Sequence, residues 1–210
     1  MKIAIIGSGN VGAALGAHWA AAGRSVVFGV RNPAAEKAQA AVAKAPGSRA
    51  ATVAEAAAEA EVVVLTTPWG DATKEALDAC GDLAGKIILD CTNPVNQTFD
   101  GLSLGLTTSA GEQVQAWAPQ AKVVKIFNTT GSNNMENPDY GGRGATMLYC
   151  GDDPVAKETA ATLAAEIGFE PADVGPLTQS RFLEPLAMLW ISMALRYGYG
   201  REIAFQLLRR

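Results

Sequence analysis

The sequence predicts an α/β protein built on a doubly wound, mostly parallel sheet, with a short helical extension at the C-terminus. Short β-branched runs alternate with alanine-rich helical stretches along most of the chain. The apolar runs are continuous rather than alternating, which is typical of strands that are buried on both faces. A regular succession of such strands and helices predicts parallel strands joined by right-handed helical crossovers.

The individual elements follow from these runs. We expect strands at Lys2–Ile6, Ser25–Val30, Glu61–Thr66, Lys86–Cys91, Lys122–Phe127 and Thr146–Cys150. Helices are expected at Val11–Ala22, Pro33–Lys44, Thr52–Ala60 and Ala72–Ala79. Ser109 and Glu112 have the spacing of a capping box and predict a helix through Trp117, and Asp152-Asp153-Pro154 favours a further helix start.

The last forty residues have a different character. The stretch GPLTQSRFLEPLAMLWISMAL predicts one helix, with an apolar stripe at helical spacing and a kink at Pro185. The stripe consists of Phe182, Leu186, Leu189 or Trp190, and Met193. This helix either covers the open face of the sheet within one chain or packs across the two-fold axis of a homodimer. A second apolar helix is expected at Glu202–Leu208.

Length and charge limit the function classes. The 210 residues contain no long linker, so we expect one domain, 1–210, with residues 176–210 as a C-terminal extension that completes a second-substrate pocket. A net charge of −4 argues against a nucleic-acid partner. The longest apolar stretch, Leu186–Leu195, is too short to span a bilayer, and no targeting segment is evident, so we expect no membrane partner and a cytoplasmic location.

Metal and thiol chemistry are not indicated. The three cysteines are far apart and are expected to be reduced thiols. The only histidine, His18, falls on a helical stripe that faces the sheet, where a partly buried structural role is expected. We therefore predict no metal site.

A glycine-rich turn follows the first strand directly. Gly7-Ser8-Gly9-Asn10-Val11-Gly12 fits the pattern GxGxxG between a strand and a helix. Gly7 permits the tight turn, Gly9 allows close approach of a pyrophosphate, and Gly12 allows the helix to pack against the strand. The sequence therefore predicts a dinucleotide site of the Rossmann type, in which the helix N-terminus binds the phosphates.

The end of the second strand indicates which dinucleotide binds. An NAD site usually has an acidic residue there, about 20 residues beyond the glycines, but this chain has Arg31 and Asn32. A guanidinium fork suits a phosphate, and Lys37 adds a second cation. Arg31 as a solvated loop residue is the alternative, and NADP(H) is the favoured cofactor.

Polar loops follow three further strands, at the sheet edge where ligands bind. We expect Thr67 and Pro68, together with Trp69, near the middle of the cofactor, and Asn93 and Pro94 near the nicotinamide. The Asn128-Thr129-Thr130 segment would complete a polar rim, although turn chemistry alone also explains each of these loops.

No catalytic side chain is predicted. No Ser-x-x-x-Lys or Tyr-x-x-x-Lys pair offers a proton relay. A direct hydride transfer between two stacked rings needs none, because positioning supplies most of the catalysis.

Several stretches together are similar to one family. GSGNVG, VRNP, TTPW, DCTNPV, TSAGE, VVKIFNTTGSNNM, CGDD and especially GPLTQSRFLEPLAMLWISMA resemble the NADP oxidoreductases that depend on coenzyme F-420 (F420), a deazaflavin. The resemblance implies direct hydride transfer between NADPH and the deazaflavin. It also implies pyrophosphate contacts from residues 8–11, 2′-phosphate contacts from Arg31, Asn32 and Lys37, and nicotinamide contacts from Thr67, Pro68 and Asn93.

Three hypotheses remain open. The first is an oxidoreductase that passes hydride between NADP(H) and a deazaflavin or flavin-like acceptor, with the kink at Pro185 leaving room for the second ring. The second is an NADPH reductase of a small carbonyl, imine or ferric chelate. The third is a non-catalytic NADP(H) redox sensor. The expected partners are a small-molecule acceptor and a second copy of the chain in a homodimer.

Overall fold

A single sheet of eight strands forms the centre of the protein. The computed structural model describes residues 1–210, and the strand order is β3-β2-β1-β4-β5-β6-β7-β8. All neighbouring strands are parallel except β6 and β7, which are antiparallel. The strands are β1 Lys2–Ile6, β2 Ser25–Gly29, β3 Arg49–Ala51, β4 Val62–Leu65, β5 Ile87–Asp90, β6 Lys122–Lys125, β7 Thr146–Gly151 and β8 Glu170–Asp173. The predicted fold class is confirmed.

Eight helices connect and cover the strands. They are α1 Asn10–Ala21, α2 Glu36–Lys44, α3 Val53–Glu59, α4 Asp71–Ala79, α5 Ala110–Trp117, α6 Ser132–Glu136, α7 Pro154–Ile167 and α8 Ser180–Leu195. The predicted helix starts at Ser109 and Asp153 are confirmed, because each side chain accepts a hydrogen bond from a backbone N–H of the first turn.

The core lies on both faces of the sheet, which explains the continuous apolar runs. In β1, Ile3 and Ile5 belong to one buried cluster, whereas Ala4 and Ile6 belong to the other. Successive side chains of a strand point to opposite faces, so both clusters need apolar residues from every central strand.

Three short elements were not predicted: β3, β8 and α6. The strands β3 and β8 have the sequences RAA and EPAD, which carry no β-branched run. Strand β3 lies at one edge of the sheet and β8 at the other, so each pairs with a single neighbour. Helix α6, with five residues, is too short to give a periodic pattern.

The predicted helix at Glu202–Leu208 is wrong. This segment forms no helix and packs in an irregular conformation along β7. The Thr146 amide donates to the Phe205 carbonyl at 3.0 Å, and the Leu207 amide donates to Thr146 Oγ1 at 2.9 Å. These hydrogen bonds to the rest of the chain replace those of a short terminal helix, whose own formation is unfavourable in isolation.

Helix α8 is confirmed. Of its predicted stripe Trp190 is buried, whereas Phe182 is 69% exposed and Leu189, the alternative to Trp190, is 52% exposed. The other apolar residues of α8 that pack into the core are Leu183, Ala187, Met188 and Ala194. The helix continues through Pro185, whose side chain is exposed. No helix in the structure combines the length and apolar character that a bilayer span requires.

Candidate active site

The glycine turn after β1 is shaped by close contacts that exclude side chains. Gly7 has φ +112°, and its amide donates to the Gly29 carbonyl of β2 at 3.0 Å. A Cβ atom at Gly12 would lie 2.5 Å from the Gly7 carbonyl oxygen and 2.9 Å from Thr66 Oγ1. Both positions therefore require glycine, for the reasons that the sequence motif suggests.

The start of α1 is open to solvent. Its N-cap is Gly9, which provides no side-chain acceptor for the first-turn amides of α1. A Cβ atom at Gly9 would have no neighbour within 4 Å, so a ligand can approach this backbone closely. The partial positive charge of a twelve-residue helix and its free N–H groups favour an anion here.

Thr66 joins the ends of β1 and β4 at the base of the glycine turn. Its hydroxyl donates to the Ile6 carbonyl at 3.0 Å, and its amide donates to the same oxygen at 3.1 Å. The end of β4 is therefore fixed against the end of β1, beside the glycine turn.

Two free cations lie beyond the end of β2. Arg31 and Lys37 are exposed, and neither forms an ion pair. Asn32 is also exposed, and its Oδ1 accepts the Ala34 amide at 3.0 Å in a local turn. Since β2 lies beside β1, this loop and the glycine turn share one edge of the sheet.

The loop after β4 is fixed by a chain of hydroxyl hydrogen bonds. Thr73 Oγ1 donates to the Pro68 carbonyl at 2.8 Å and lies 3.0 Å from Thr67 Oγ1, which therefore acts as the donor to Thr73. Trp69 stacks on Trp117 of α5, with ring centroids 5.4 Å apart. Thr67 and Trp69 are half-buried, and Pro68 is exposed.

Beside this loop lies an open cavity of about 360 Å³, which the sequence did not reveal. Its walls come from the loop after β4, helix α4, the long loop after β5 and helix α5. The lining residues include Trp69, Trp117, Lys74, Gln113 and Leu104. Residues from four separate segments form this cavity, so no local pattern could have indicated it.

The loops after β5 and β6 are joined by a reciprocal amide pair. Asn93 Nδ2 donates to the Asn128 carbonyl at 2.8 Å, and Asn128 Nδ2 donates to Asn93 Oδ1 at 3.0 Å. Asn128 Nδ2 also donates to the Leu183 carbonyl of α8 at 3.2 Å. The loops after β5 and β6 are therefore in direct contact, and Pro94, which follows Asn93, is buried.

The residue before Asn128 has an unusual backbone conformation. Phe127 has φ +61°, which is rare for a bulky residue, and its side chain is fully buried against Trp19 and Phe169. This conformation turns the chain at the end of β6, directly before Asn128, whose side-chain amide joins the loops after β5 and β6 to α8.

A buried ionic cluster lies at the C-terminal ends of β5 and β6, beneath the loops that carry Asn93 and Asn128. Lys125 Nζ is 2.6 Å from Asp90 Oδ2 and 3.0 Å from Glu184 Oε1, and all three side chains are almost completely buried. Lys125 also donates to the Thr92 carbonyl at 2.8 Å. Burial alone lowers the pKa of Lys125, but the attraction of both carboxylates outweighs it and the pKa is raised.

Each carboxylate of this cluster has a second role in positioning the backbone. Asp90 Oδ1 accepts from the amide and hydroxyl of Thr92 at 2.9 and 2.7 Å. Glu184 accepts from the Ala110 and Gly111 amides at the start of α5, both at 3.0 Å. The cluster therefore fixes the loop that carries Asn93 and attaches α8 to α5.

Sequence reasoning missed this cluster, although a signal exists. Lys125 and Asp90 are charged residues at the C-terminal ends of the strands KVVK and IILD, directly after the buried apolar runs VV and IIL, where a charge is costly unless it is paired. Their partner Glu184 lies in RFLEPLAMLW, 59 residues beyond Lys125, so the pairing depends on the tertiary fold.

The C-terminal half of α8 packs against the loop after β6. A Cβ atom at Gly131 would lie 2.5 Å from the Trp190 ring, so only glycine allows this contact. Trp190 Nε1 and Asn134 Nδ2 both donate to the Ile203 carbonyl at 2.7 Å. The NTTGSNNM and RFLEPLAMLW stretches are therefore in direct contact.

His18 has the structural role that the sequence predicts. It is half-buried on α1, and its Nε2 lies 3.0 Å from the Glu136 carbonyl at the end of α6. The cysteines are all free, and burial raises the pKa of the Cys80 and Cys150 thiols to about 11.

The eight-stranded, mostly parallel sheet and the glycine turn after β1 define a class of protein: the Rossmann-type α/β fold. Residues 2–94 match the family described as NADP oxidoreductase, coenzyme F420-dependent. The chain is 30% identical to an F420-dependent NADP reductase of Methanothermobacter marburgensis, with 93% of each chain covered. The chain belongs to this family of NADP oxidoreductases.

Two further similarities define how far the relationship extends. A crystal structure from Arthrobacter sp. FB24, described as a candidate F420-dependent NADP reductase, superposes with a TM-score of 0.90 at 33% identity over 100% of both chains. Metalloreductase STEAP3 of Rattus norvegicus is 30% identical over 90% of this chain, which spans only 37% of that protein's length.

Proposed function

We propose that the sheet edge binds NADP(H) across the ends of β1, β2 and β4. The pyrophosphate lies on the start of α1, where Gly9 leaves the backbone open, with Ser8 to Val11 around it. Arg31 and Lys37 carry no competing carboxylate and bind the 2′-phosphate together with Asn32. The nicotinamide end extends toward Thr67, Pro68 and the Asn93 loop.

A titration of nucleotide fluorescence tests this assignment. Arg31→Ala should weaken NADPH binding by about tenfold or more and leave NADH binding nearly unchanged, since only NADPH has the 2′-phosphate. Arg49→Ala is the matched control, because Arg49 is an exposed arginine on the neighbouring strand β3 that pairs with Glu59. Equal losses for both nucleotides in Arg31→Ala would mean that Arg31 has a structural role.

We further propose that the bound NADPH passes hydride to a deazaflavin or flavin-like ring. The hydride leaves C4 of the nicotinamide and bonds to the acceptor ring, so NADPH is oxidised to NADP⁺ and the acceptor is reduced. The accompanying proton comes from solvent. The observation that carries this proposal is the relationship to F420-dependent NADP reductases over nearly the whole chain.

The buried charges at the C-terminal ends of β5 and β6 support a hydride transfer that depends on how the two rings are positioned rather than on a catalytic acid or base. Lys125, Asp90 and Glu184 are buried and bonded to one another, so none of them faces a substrate. Their role is to hold the Thr92–Asn93 backbone, and the Asn93–Asn128 pair fixes the distance between two loops under the reacting rings. The cavity beside Trp69 provides room for a planar group close to the nicotinamide end.

Stopped-flow mixing of the protein, NADPH and oxidised F420 tests the acceptor. We expect rapid loss of the deazaflavin absorbance together with NADPH oxidation. A loss no faster than in the absence of protein would exclude this acceptor while leaving the NADP(H) site intact, as the nucleotide titration would then show.

A second candidate is reduction of a ferric chelate or a small carbonyl or imine. The similarity to metalloreductase STEAP3 favours the ferric chelate among these. The same stopped-flow experiment with a ferric chelate in place of F420 compares the two directly. NADPH binding without turnover of any acceptor would favour a redox sensor instead.

A further inference from the structure

The loop after β6, residues 127–131, has a conformation that is costly to maintain. Phe127 has φ +61°, and Asn128 Oδ1 is buried without a hydrogen-bond partner in the chain. A bulky residue in the left-handed region and an unpaired buried acceptor each raise the free energy of the loop. Such a conformation persists only where the surrounding elements determine it. The contacts that hold this loop are therefore part of the site that it borders.

Asn134 of α6 joins this loop to its surroundings. It is completely buried, and all four hydrogen-bonding positions of its side-chain amide are occupied. Nδ2 donates to Thr130 Oγ1 at 2.8 Å and to the Ile203 carbonyl at 2.7 Å. Oδ1 accepts from the Tyr140 hydroxyl at 2.9 Å and from Asn133 Nδ2 at 2.7 Å. The orientation of the amide is fixed, because the Ile203 carbonyl can only accept.

Residues 201–207, which we call the C-terminal strap, run from α6 to β7. At the start of the strap, the Arg201 carbonyl and Glu202 Oε1 each accept from Asn133 Nδ2 at 2.9 Å. At its other end, the strap is hydrogen-bonded to the backbone and the hydroxyl of Thr146 on β7. The strap therefore joins two elements that are separate in the sheet.

The Ile203 carbonyl of the strap is shared by α6 and α8. It accepts from Asn134 Nδ2 and from Trp190 Nε1, both at 2.7 Å. The Trp190 ring in turn packs directly against Gly131. One carbonyl therefore secures both the amide that bonds to Thr130 and the ring that contacts Gly131, so the second half of the loop is held from two sides.

This loop lies at the sheet edge that we assign to NADP(H), but far from the adenosine end. Strands β1, β4, β5 and β6 are parallel, so their C-terminal ends share one edge. Strand β2, whose following loop carries the 2′-phosphate residues, is four strand positions from β6, or roughly 19 Å at the ordinary spacing of strands. A change in the loop after β6 therefore acts on the nicotinamide half of the cofactor and leaves the adenosine half alone.

We propose that Asn134 is a positioning residue for the nicotinamide ring. Together with the C-terminal strap, it locks the loop after β6 into the one conformation that holds the ring in place. The inference rests on the proposed NADP(H) site, and it does not depend on the identity of the acceptor.

The nicotinamide fluorescence of bound NADPH tests this role without any acceptor. The wild type should raise the emission and the anisotropy of NADPH, because an immobilised ring loses its internal motion. Asn134→Asp replaces Nδ2, which donates two hydrogen bonds, by an oxygen that only accepts. This variant should lose most of the increase in emission and anisotropy, yet bind NADPH within about threefold of the wild type. It should bind 2′,5′-ADP, which is the adenosine end alone, as tightly as the wild type does.

Asn137→Asp is the matched control. Asn137 is exposed at the end of α6, and its Oδ1 accepts the Asp139 amide at 3.2 Å, as a carboxylate also would. This control should match the wild type in all three measurements.

Thr130→Val tests the same hydrogen bond from the other side. Thr130 is half-buried and valine has nearly the same shape, so this variant should fold even where a buried carboxylate at position 134 prevents folding. It should lower the nicotinamide emission in the same way as Asn134→Asp. If both act through one bond, the double variant should lose no more than Asn134→Asp alone.

The contrary results are distinct from one another. Full nicotinamide emission in both Asn134→Asp and Thr130→Val would overturn the positioning role. Equal weakening of 2′,5′-ADP and NADPH binding would mean that Asn134 supports the fold as a whole, and additive losses in the double variant would mean that the two residues act by separate routes. A wild type that binds neither 2′,5′-ADP nor NADPH would instead contradict the proposed NADP(H) site itself.

Discussion

Replacing Lys125 by methionine removes the only cation from a buried cluster that contains two carboxylates. Lys125 Nζ lies 2.6 Å from Asp90 and 3.0 Å from Glu184, and none of the three side chains is more than 1% exposed. Removing one partner of a buried ion pair typically costs about 3–5 kcal/mol, because the remaining charge has no compensation. We expect Lys125→Met to lower the free energy of unfolding by this amount at pH 7.

The loss should depend on pH in a specific direction. Without the cation, two neighbouring buried carboxylates cannot both stay ionised, so the folded variant binds a proton that the unfolded chain has released. The free energy of unfolding of Lys125→Met then falls by up to about 1.4 kcal/mol per pH unit as the pH rises above the ordinary carboxyl range. The difference between variant and wild type is therefore larger at pH 7.5 than at pH 5.

Urea unfolding followed by circular dichroism measures both effects. Lys122→Met is the matched control: Lys122 lies on the same strand but pairs with Asp153 at the surface, at 3.0 Å. This control should lose less than about 1 kcal/mol, with no comparable dependence on pH. Equal losses in the two variants, or a loss in Lys125→Met that is the same at both pH values, would refute the reasoning.

Four further substitutions test other parts of the site. Gly12→Ala should prevent folding or abolish NADPH binding, because its Cβ would lie 2.5 Å from the Gly7 carbonyl oxygen. Gly9→Ala should fold normally and bind NADPH at least about tenfold more weakly. Thermal unfolding and nucleotide titration separate these two outcomes. Asn128→Asp should slow hydride transfer more than it weakens NADPH binding, because it places a carboxylate oxygen against two acceptors; single-turnover kinetics with a binding titration measures this. Gly131→Ala should cost about 1–3 kcal/mol by displacing Trp190, which urea unfolding and tryptophan fluorescence report together.

The central strands and the glycine turn were predictable because they depend on local chemistry. A β-branched run that is buried on both faces has few alternatives to a parallel strand, and the close approach of Gly12 to Gly7 depends on neighbours in the chain. The edge strands β3 and β8 were not predictable, because their backbone pairing compensates for sequences without β propensity.

The relationship of α8 to the site required the tertiary structure. The apolar pattern of this helix leaves Leu189 and Trp190 as alternatives on the stripe that contains Phe182. The structure buries Trp190 and exposes Phe182 and Leu189, and Glu184 on the buried side binds Lys125 and the start of α5. A buried charge with three partners therefore orients a helix whose apolar pattern leaves the orientation open.

Isotope transfer from NADPH tests the central claim of a direct hydride step most directly. NADPH deuterated at C4 of the nicotinamide, prepared as each of the two stereoisomers, is mixed with the protein and oxidised F420. The product is then examined by mass spectrometry. We predict that one stereoisomer delivers its deuterium to the ring carbon of the reduced deazaflavin. Reduced deazaflavin without deuterium from either stereoisomer, or no reduction at all, would contradict direct transfer between the two rings.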